Sequence, residues 1–296
     1  MALAEKNPDD VKWNTRQRLQ YIELMAFYTG VVTRSDIART FGISDAAATK
    51  DLKLYSQFAP DNLTYKHGVF GFIPTPGFKE IFSDLSPAKV LPLIAGNLPT
   101  AGGPAENQLV YGVVVESLPM PARLPDKHDL AQIIQAIKNK RQLRVQYRSL
   151  SDREGEEERI IEPHSLVNTG LRWHLRAYNE QTFDFRDFVL SRITQAKVMA
   201  EPAESSPQYD DDWIETVTLK LTPHTGLSQQ KQLHLLIDYG VSEGDIEVEV
   251  RRALLGYVLQ RLSVDTSRDH SLNPNAYQLI LVNRDEIEPY AGWAFL

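Results

Sequence analysis

Between Ile37 and Leu52 the sequence permits few backbone paths. Thr33 or Ser35 can start a short helix through Phe41, with Ile37, Ala38 and Phe41 on its inward face. Gly42 supplies the backbone freedom of a tight turn. Ser44 can then cap a second helix over 45–58. The small Ala38 lets the two helices cross closely, and the whole reads as a helix-turn-helix. On the second helix the spacing turns Ala48, Leu52 and Tyr55 inward and Ala46, Ala47, Thr49, Lys50 and Lys53 outward. Short side chains with one or two lysines allow close approach to a major groove, where Lys or Thr can meet base edges or phosphate.

The flanks fit this reading. Thr15 is a candidate cap for a preceding helix with Leu19, Ile22, Met25 and Ala26 at helical spacing, stopped by Gly30. Leu63–Ile73 reads as a hairpin turning near Lys66–Gly68, a wing that would hold Lys66 and His67 near phosphate. Ser44, Ala46, Ala47, Thr49, Lys50, Lys53, Lys66 and His67 are therefore the candidate DNA-facing residues. The same helices could form a plain three-helix packing unit, but the wing favours DNA.

Charge bears on how such a unit would work. The chain has 296 residues and a net charge of −7, which argues against indiscriminate coating of nucleic acid. Residues 1–80 carry 10 basic and 9 acidic side chains, 128–200 carry 12 and 10, and 201–296 carry 7 and 16. Anion-binding surface is thus expected in the first two blocks. One nearly neutral winged helix would hold DNA weakly, because a few phosphate contacts release few counterions. A dimer on two half-sites is the physical remedy. Arg16, Arg18, Arg34 and Arg39 are further candidates for phosphate, unless they are simply solvated helix surface.

A second distinctive stretch is Leu171–Tyr178, Leu-Arg-Trp-His-Leu-Arg-Ala-Tyr. On a strand, Leu171, Trp173, Leu175 and Ala177 share one face, and Arg172, His174, Arg176 and Tyr178 the other. The first face, Trp173 included, is expected in the core. Guanidinium and imidazole donors in a row suit an anion such as a phosphate or nucleotide. Arg172, His174 and Arg176 are ligand candidates, although a half-exposed basic strand would look the same. Around it, a helix over 128–140 (Leu130, Ile133, Ile134 and Ile137 inward) and strands at 143–149, 159–162, 171–178 and 185–193 are expected, with Glu154–Glu158 as a solvated hairpin tip. On the last of these, Asp187 could orient a neighbouring arginine or simply form an internal salt bridge.

Seven of the 17 prolines fall between Pro87 and Pro125, marking a connecting region in which 109–118 reads as a strand. Glu201–Asp212 is a second break. After it, 216–222 reads as a strand, 228–239 as a helix stopped by Gly240, and 246–262 as strand then helix. The expected domains are 1–80, 81–125, 126–200 and 213–296, in an α+β multidomain chain.

There is no cysteine, so disulfides and a cysteine nucleophile are excluded. No apolar run approaches the roughly 20 residues of a membrane helix, and Met1–Asp10 is too acidic for a signal peptide. A cytoplasmic protein without membrane partner is expected. The sequence has no Gly-x-Ser-x-Gly elbow, phosphate-loop or dinucleotide fingerprint, and no His-Glu-x-x-His. No enzyme, metal site or cofactor is expected.

Pro163-His164-Ser165-Leu166-Val167, Arg172–Tyr178 and Asp187–Ile193 resemble a WYL-domain transcriptional regulator of the BrxR/CapW-like branch, which regulates bacterial anti-phage defence operons. The name-giving Trp-Tyr-Leu stands here as Trp173-His174-Leu175. The resemblance spans essentially the whole chain. It implies a central Sm-like β-barrel, a C-terminal dimerisation domain, and a homodimer that represses its operon from a palindromic operator. It also implies a ligand pocket at Tyr147, Ser149, His164, Arg172, His174 and Arg192, open to an anionic or nucleotide-like ligand. A rival is a module for single-stranded nucleic acid or nucleotides stacking on Trp173, Tyr147 or Tyr178; an activator is another.

Overall fold

The computed structural model describes residues 7–96, 111–113, 115–116, 118–121, 123–150 and 156–295. They divide into two compact units, one through Pro119 and one from Met120.

The first unit begins with α1 (Trp13–Thr29), α2 (Arg34–Phe41) and α3 (Asp45–Phe58). Lys12, not Thr15, stands at the start of α1. Thr15 lies inside the first turn, where its hydroxyl accepts from Arg18 Nη2 at 3.2 Å instead of capping. The other local signals are met. Gly30 and Gly42 close α1 and α2 in the left-handed region, at φ +79° and +62°. Thr33 and Asp36 form a reciprocal capping box on α2. Ser44 Oγ accepts from Ala47 N at 3.2 Å to cap α3. The wing pairs β1 (Leu63–Lys66) with β2 (Gly71–Pro74), Lys66 opposite Gly71. Val32 bridges to Phe72, which ties the wing to the end of α1. Leu19, Ile22, Ile37, Ala48, Leu52 and Tyr55 fill the core.

The core also holds a carboxylate. Glu23 is fully buried in α1 and accepts from Tyr55 Oη at 3.0 Å and from the amides of Ile81, Phe82 and Ser83 at 2.9, 2.9 and 2.7 Å. It fastens the chain after the wing to α1. Beyond that comes α4 (Pro87–Gly96). The strand expected at 109–118 lies partly outside the described residues, and no strand runs through those that are described. Gly112, at φ +69°, breaks the extended run.

The second unit opens with α5 (Lys127–Asn139) and a five-stranded antiparallel sheet: β3 (Arg141–Arg148), β4 (Glu156–Asn168), β5 (Trp173–Asn179), β6 (Asp184–Val189) and β7 (Ile193–Pro202), in the order β6-β5-β4-β3-β7. No ladder joins β6 to β7 among the described residues, so closure of the sheet into a barrel is not found there. The single strand expected over 185–193 is two, broken by a turn at Leu190–Arg192. That turn carries the chain from one sheet edge to the other, where β7 pairs with β3. The acidic run 154–158 falls partly outside the described residues; Glu156–Glu158 belong to β4, paired with Gln146–Arg148. On α5 the inward residues include Ile133 and Ala136, while Ile134 is exposed. The helix faces β7, where the Asp129 and Gln132 side chains accept from the amides of Ala196 and Val198.

A short helix, α6 (Asp211–Ile214), leads to β8 (Thr216–Pro223), α7 (Gln229–Asp238), β9 (Ile246–Arg251), α8 (Leu255–Arg261), β10 (Val264–Asp265), β11 (Leu279–Leu281) and α9 (Arg284–Ala291). The elements expected through residue 262 are present. These strands form a second sheet, β10-β11-β8-β9, over a core of Leu219, Leu221, Leu255, Leu259, Leu279 and Ile287.

Candidate nucleic-acid interface and buried polar site

In α3 the inner face is locked and the outer face is open. Ala48, Leu52 and Tyr55 are buried as their spacing requires. Asp51 is also buried, gripped by Arg18 through Nε at 2.6 Å and Nη2 at 3.2 Å. Arg18 therefore clamps α1 to α3 and is not spare for phosphate. Arg16 and Arg39 pair with Asp9 and Asp36, and Arg34 lies 3.8 Å from Asp45. The last two pairs are solvent-exposed, where ion pairs hold weakly.

Ala46, Lys50 and Lys53 are exposed, with Ala47 and Thr49 half-buried beside them. Thr49 Oγ1 donates to Asp45 O at 2.8 Å, and the Ser44 hydroxyl is used as the cap. Lys50, Lys53 and Lys66 have no ion pair among the described residues. At the wing, Lys66 and His67 are exposed, with the His67 ring 5.0 Å from Tyr65 edge-on. Phe70 at the tip is 79% exposed and takes φ +49°. A groove of about 690 Å³ separates helices and wing, lined among others by Arg34, Ser35, Thr49, Lys53, Tyr65 and Phe70. Of the candidate residues, Thr49 and Lys53 line this groove, and the wing contributes Tyr65, Phe70 and Phe72 to it. Phe70 carries no charge pattern that would have marked it in the sequence.

On β5, Leu175 and Ala177 enter the core of the five-stranded sheet. Trp173 does not: it is 38% exposed at the start of the strand, and Leu171 lies exposed in the preceding turn. The core ends before them. The opposite face is covered as well, with His174 and Arg176 both buried. Its cover comes from later in the chain. Arg176 donates from Nε to Asp210 Oδ2 at 2.7 Å and from Nη2 to Oδ1 at 2.8 Å, and lies 3.4 Å from Asp187. His164 Nε2 approaches the same Asp210 at 3.2 Å, and its Nδ1 lies 2.9 Å from Ser165 Oγ. A register shift between Pro163 and Ser165 makes His164 a bulge residue, which aims its ring at Asp210.

A chain of donors runs through the other half. Arg172 Nε donates to His174 Nε2 at 3.0 Å. His174 Nδ1 lies 3.4 Å from Tyr257 Oη, which donates to Asp187 Oδ2 at 3.0 Å. That order leaves the His174 proton on Nδ1 and the ring neutral. Burial, then the charges of Arg172, Arg123 and Arg192, lower its pKa to about 4. Those three guanidiniums have no ion pair among the described residues. Burial raises Asp210, but the Arg176 and His164 bonds and charges outweigh it and hold the carboxyl at about 2. Asp187 moves the other way: burial raises it, and Arg176 and Tyr257 do not fully offset that.

Tyr147 is buried under Phe188, and its Oη accepts from Val189 N at 3.2 Å, so that ring is not open to stacking. Ser149 is half-buried at the end of β3. The sequence candidates therefore separate. Arg172, His174 and Arg192 form a cationic group, His164 and Arg176 a carboxylate-bound one, and Tyr147 belongs to the core.

Three family models match the chain: the BrxR transcriptional regulator winged helix-turn-helix domain over residues 14–96, the WYL domain over 128–198, and the BrxR transcriptional regulator C-terminal dimerization domain over 216–287. The chain is 31% identical over 284 residues to the DNA-binding transcriptional repressor CapW of Stenotrophomonas maltophilia, covering 95% of this chain and 93% of that one. It is 32% identical over 293 residues to CapW of Escherichia coli strain KTE188, covering 96% and 94%. This chain belongs to the BrxR/CapW family of WYL-domain transcriptional regulators.

In this BrxR/CapW-family chain the WYL sheet is not an independent surface. Asp210 and Tyr257, which close over β5, lie beyond the residues matched by the WYL model, and Tyr257 falls within the C-terminal match. Sequence reasoning missed both, and Arg123. It did place Asp187 next to an arginine, and Arg176 is that arginine. Asp210 stands in the 201–212 stretch that reads as a break between domains, and nothing local marks Tyr257 as a partner of His174.

Proposed function

We propose that this chain is a homodimeric, sequence-specific DNA-binding repressor of a bacterial phage-defence operon. Ser44, Ala46, Ala47, Thr49, Lys50 and Lys53 meet the major groove of each half-site of a palindromic operator, and Lys66 and His67 meet flanking phosphate. The observation that carries this reading is the outer face of α3, short-chained, cationic and unpaired beside the wing. The CapW relatives named as repressors support the sign of regulation.

The WYL sheet is the sensor. An anionic or nucleotide-like ligand sits against Arg172, His174 and Arg192, and its binding relieves repression. Three cations around a neutral histidine, without a carboxylate of their own, support an anion there. A coupling of about 1–3 kcal/mol between ligand and DNA would change operator affinity roughly 5–150-fold. The test is titration of the duplex upstream of this gene at fixed salt, with wild type, Lys50→Ala and Arg172→Ala. Lys50→Ala should bind weakly. Arg172→Ala should bind like wild type yet fail to release a reporter during phage infection. Unchanged affinity in Lys50→Ala would overturn the recognition-helix assignment.

A further inference from the structure

The wing ends in an apolar tip. The turn between β1 and β2 is His67-Gly68-Val69-Phe70, and its last two side chains are exposed, Phe70 by 79%. Phe70 also takes φ +49°, the left-handed region that glycine or asparagine fills with least strain and a bulky side chain rarely enters. For folding alone the residue is doubly unsuited to its place: it buries little and it strains the backbone. Such outliers persist where the surrounding structure holds them, and they cluster at positions that contact ligands. The support here is firm. Phe72, two residues on, exchanges both backbone hydrogen bonds with Val32 at 2.9 Å. Gly71 is buried so closely that a Cβ there would lie 2.7 Å from Val31 Cγ2.

We propose that Phe70 is a wedge for duplex DNA: its ring enters the minor groove next to the α3 contact, inserts between two base pairs and kinks the duplex. Its neighbours specify that partner. Lys66 and His67 stand exposed at the same end of the wing. The groove between wing and helices is lined by hydroxyls and cations, among them Thr33, Arg34, Ser35, Thr49, Lys53 and Tyr65. That lining suits one sugar-phosphate strand. With α3 on the major-groove side of the strand, the wing tip lies on the other side, over the minor groove. Polar and cationic flanks then meet the phosphates, while the uncharged ring meets a base step, as apolar wedges do when they partly unstack two bases. Phe183 is a control within the same chain. It too is exposed, by 75%, and takes φ +55°. Its turn, 180–184, carries Glu180 and Asp184 and no lysine or arginine, so nothing in that turn draws phosphate.

The inference rests on α3 lying in the major groove, and it adds a second way of reading sequence. A kink forms most readily at a flexible pyrimidine–purine step, TA or CA/TG. The protein would select such a step without a hydrogen bond to its bases. The step falls roughly five base pairs from the centre of the α3 contact, half of a helical turn. Wedges of this kind bend DNA by about 20–90° towards the major groove, which here means around α3.

The test uses the full-length chain and the duplex upstream of this gene, with the bound region mapped by footprinting. Dyes at the duplex ends report bending, and a fluorescent adenine analogue at the flanking step reports unstacking. Wild type should draw the ends together and brighten the analogue. Phe70→Ala should lose both signals and bind about 10-fold more weakly, with the salt slope of wild type because no charge is removed. Phe70→Leu, another apolar wedge, should retain most of the bend. Phe70→Asn should melt about 2–4 °C above wild type, since asparagine tolerates the left-handed region, and still bind as weakly as Phe70→Ala. Replacing the flexible step by a G·C-only step should weaken wild type and leave Phe70→Ala unaffected. A wild type that binds no duplex would overturn the DNA reading and this one with it. A wild type that binds but leaves the duplex straight and the analogue stacked, or a Phe70→Ala that bends and binds as wild type does, would overturn the wedge while leaving α3 in the major groove.

Discussion

Arg176 grips Asp210 with both arms of its guanidinium, Nε at 2.7 Å and Nη2 at 2.8 Å, and neither side chain reaches solvent. The two residues are 34 positions apart and belong to different layers: Arg176 to the WYL sheet, Asp210 to the segment that leads into the C-terminal domain. Asp210→Ala leaves a buried guanidinium with the longer contacts to Asp187, at 3.4 Å, and Asp212, at 4.0 Å. Breaking such a pair typically costs about 3–5 kcal/mol. Urea unfolding of wild type and variant should show a loss of that order. A loss under about 1 kcal/mol would mean that Arg176 finds its partner elsewhere and is open to ligand.

The same pair sets an acid limit. Asp210 is held at about 2, below its ordinary 3.8, so folding favours its ionised form. That contribution is complete above pH 4 and disappears as pH falls from about 4 towards 2, roughly 2 kcal/mol in all. Asp210→Asn should flatten the stability profile in that window. Asp187, raised by burial, should respond differently. Asp187→Asn removes a carboxylate that burial disfavours and keeps an acceptor for Tyr257, so it should cost less than Asp210→Asn. Stability against pH for both variants checks the order.

His174 has a window of its own. Its pKa is lowered to about 4 from 6.5, so the folded state prefers the neutral ring. As pH falls from 6.5 to 4 the unfolded chain takes up the proton first, and stability drops by up to about 3 kcal/mol. His174→Gln retains an acceptor for Arg172 and should lose that drop. An anion bound beside Arg172 and Arg192 offsets their charge and should move the His174 titration upward. Titration of the His174 ring by NMR, with inorganic phosphate and polyphosphate as probes, would show it. A ring that titrates near 6.5 without added anion would contradict its burial among three cations.

These relationships explain what could be read in advance. The helix-turn-helix was legible because its determinants are local. Thr33, Gly42 and Ser44 each act within about four residues of themselves, and the inward set on α3 follows from spacing alone. Glu23 was not legible. A lone glutamate in a helix of mixed polar and apolar residues reads as surface, and its amide donors lie some 60 residues further on. On β5 the division into faces was right, but alternation fixes only which residues share a face. It does not say what covers that face. Tyr257, 83 residues from His174, and Asp210 supply the cover, and so the cationic row is largely interior. Trp173 misled because hydrophobicity was taken over the whole run, while the sheet core stops at Leu175.

Lys50 and Lys66 occupy positions that should separate experimentally. Lys50 projects from the open face of α3, between Ala46 and Lys53, where the groove floor would be base edges. Lys66 sits at the end of β1, opposite Gly71, where a wing runs along the sugar-phosphate backbone. A lost base contact costs about 1–3 kcal/mol on the correct site and little on any other sequence. A lost phosphate contact weakens every duplex alike and lowers the salt slope by about one per copy. Lys50→Ala should therefore narrow the ratio of affinity for the operator over an unrelated duplex. Lys66→Ala should keep that ratio and flatten the dependence on salt. Affinities measured on both duplexes between 50 and 200 mM salt supply both quantities. If the two variants lose affinity with the same ratio and the same slope, α3 does not read sequence through Lys50, and the helix only anchors the protein to the backbone.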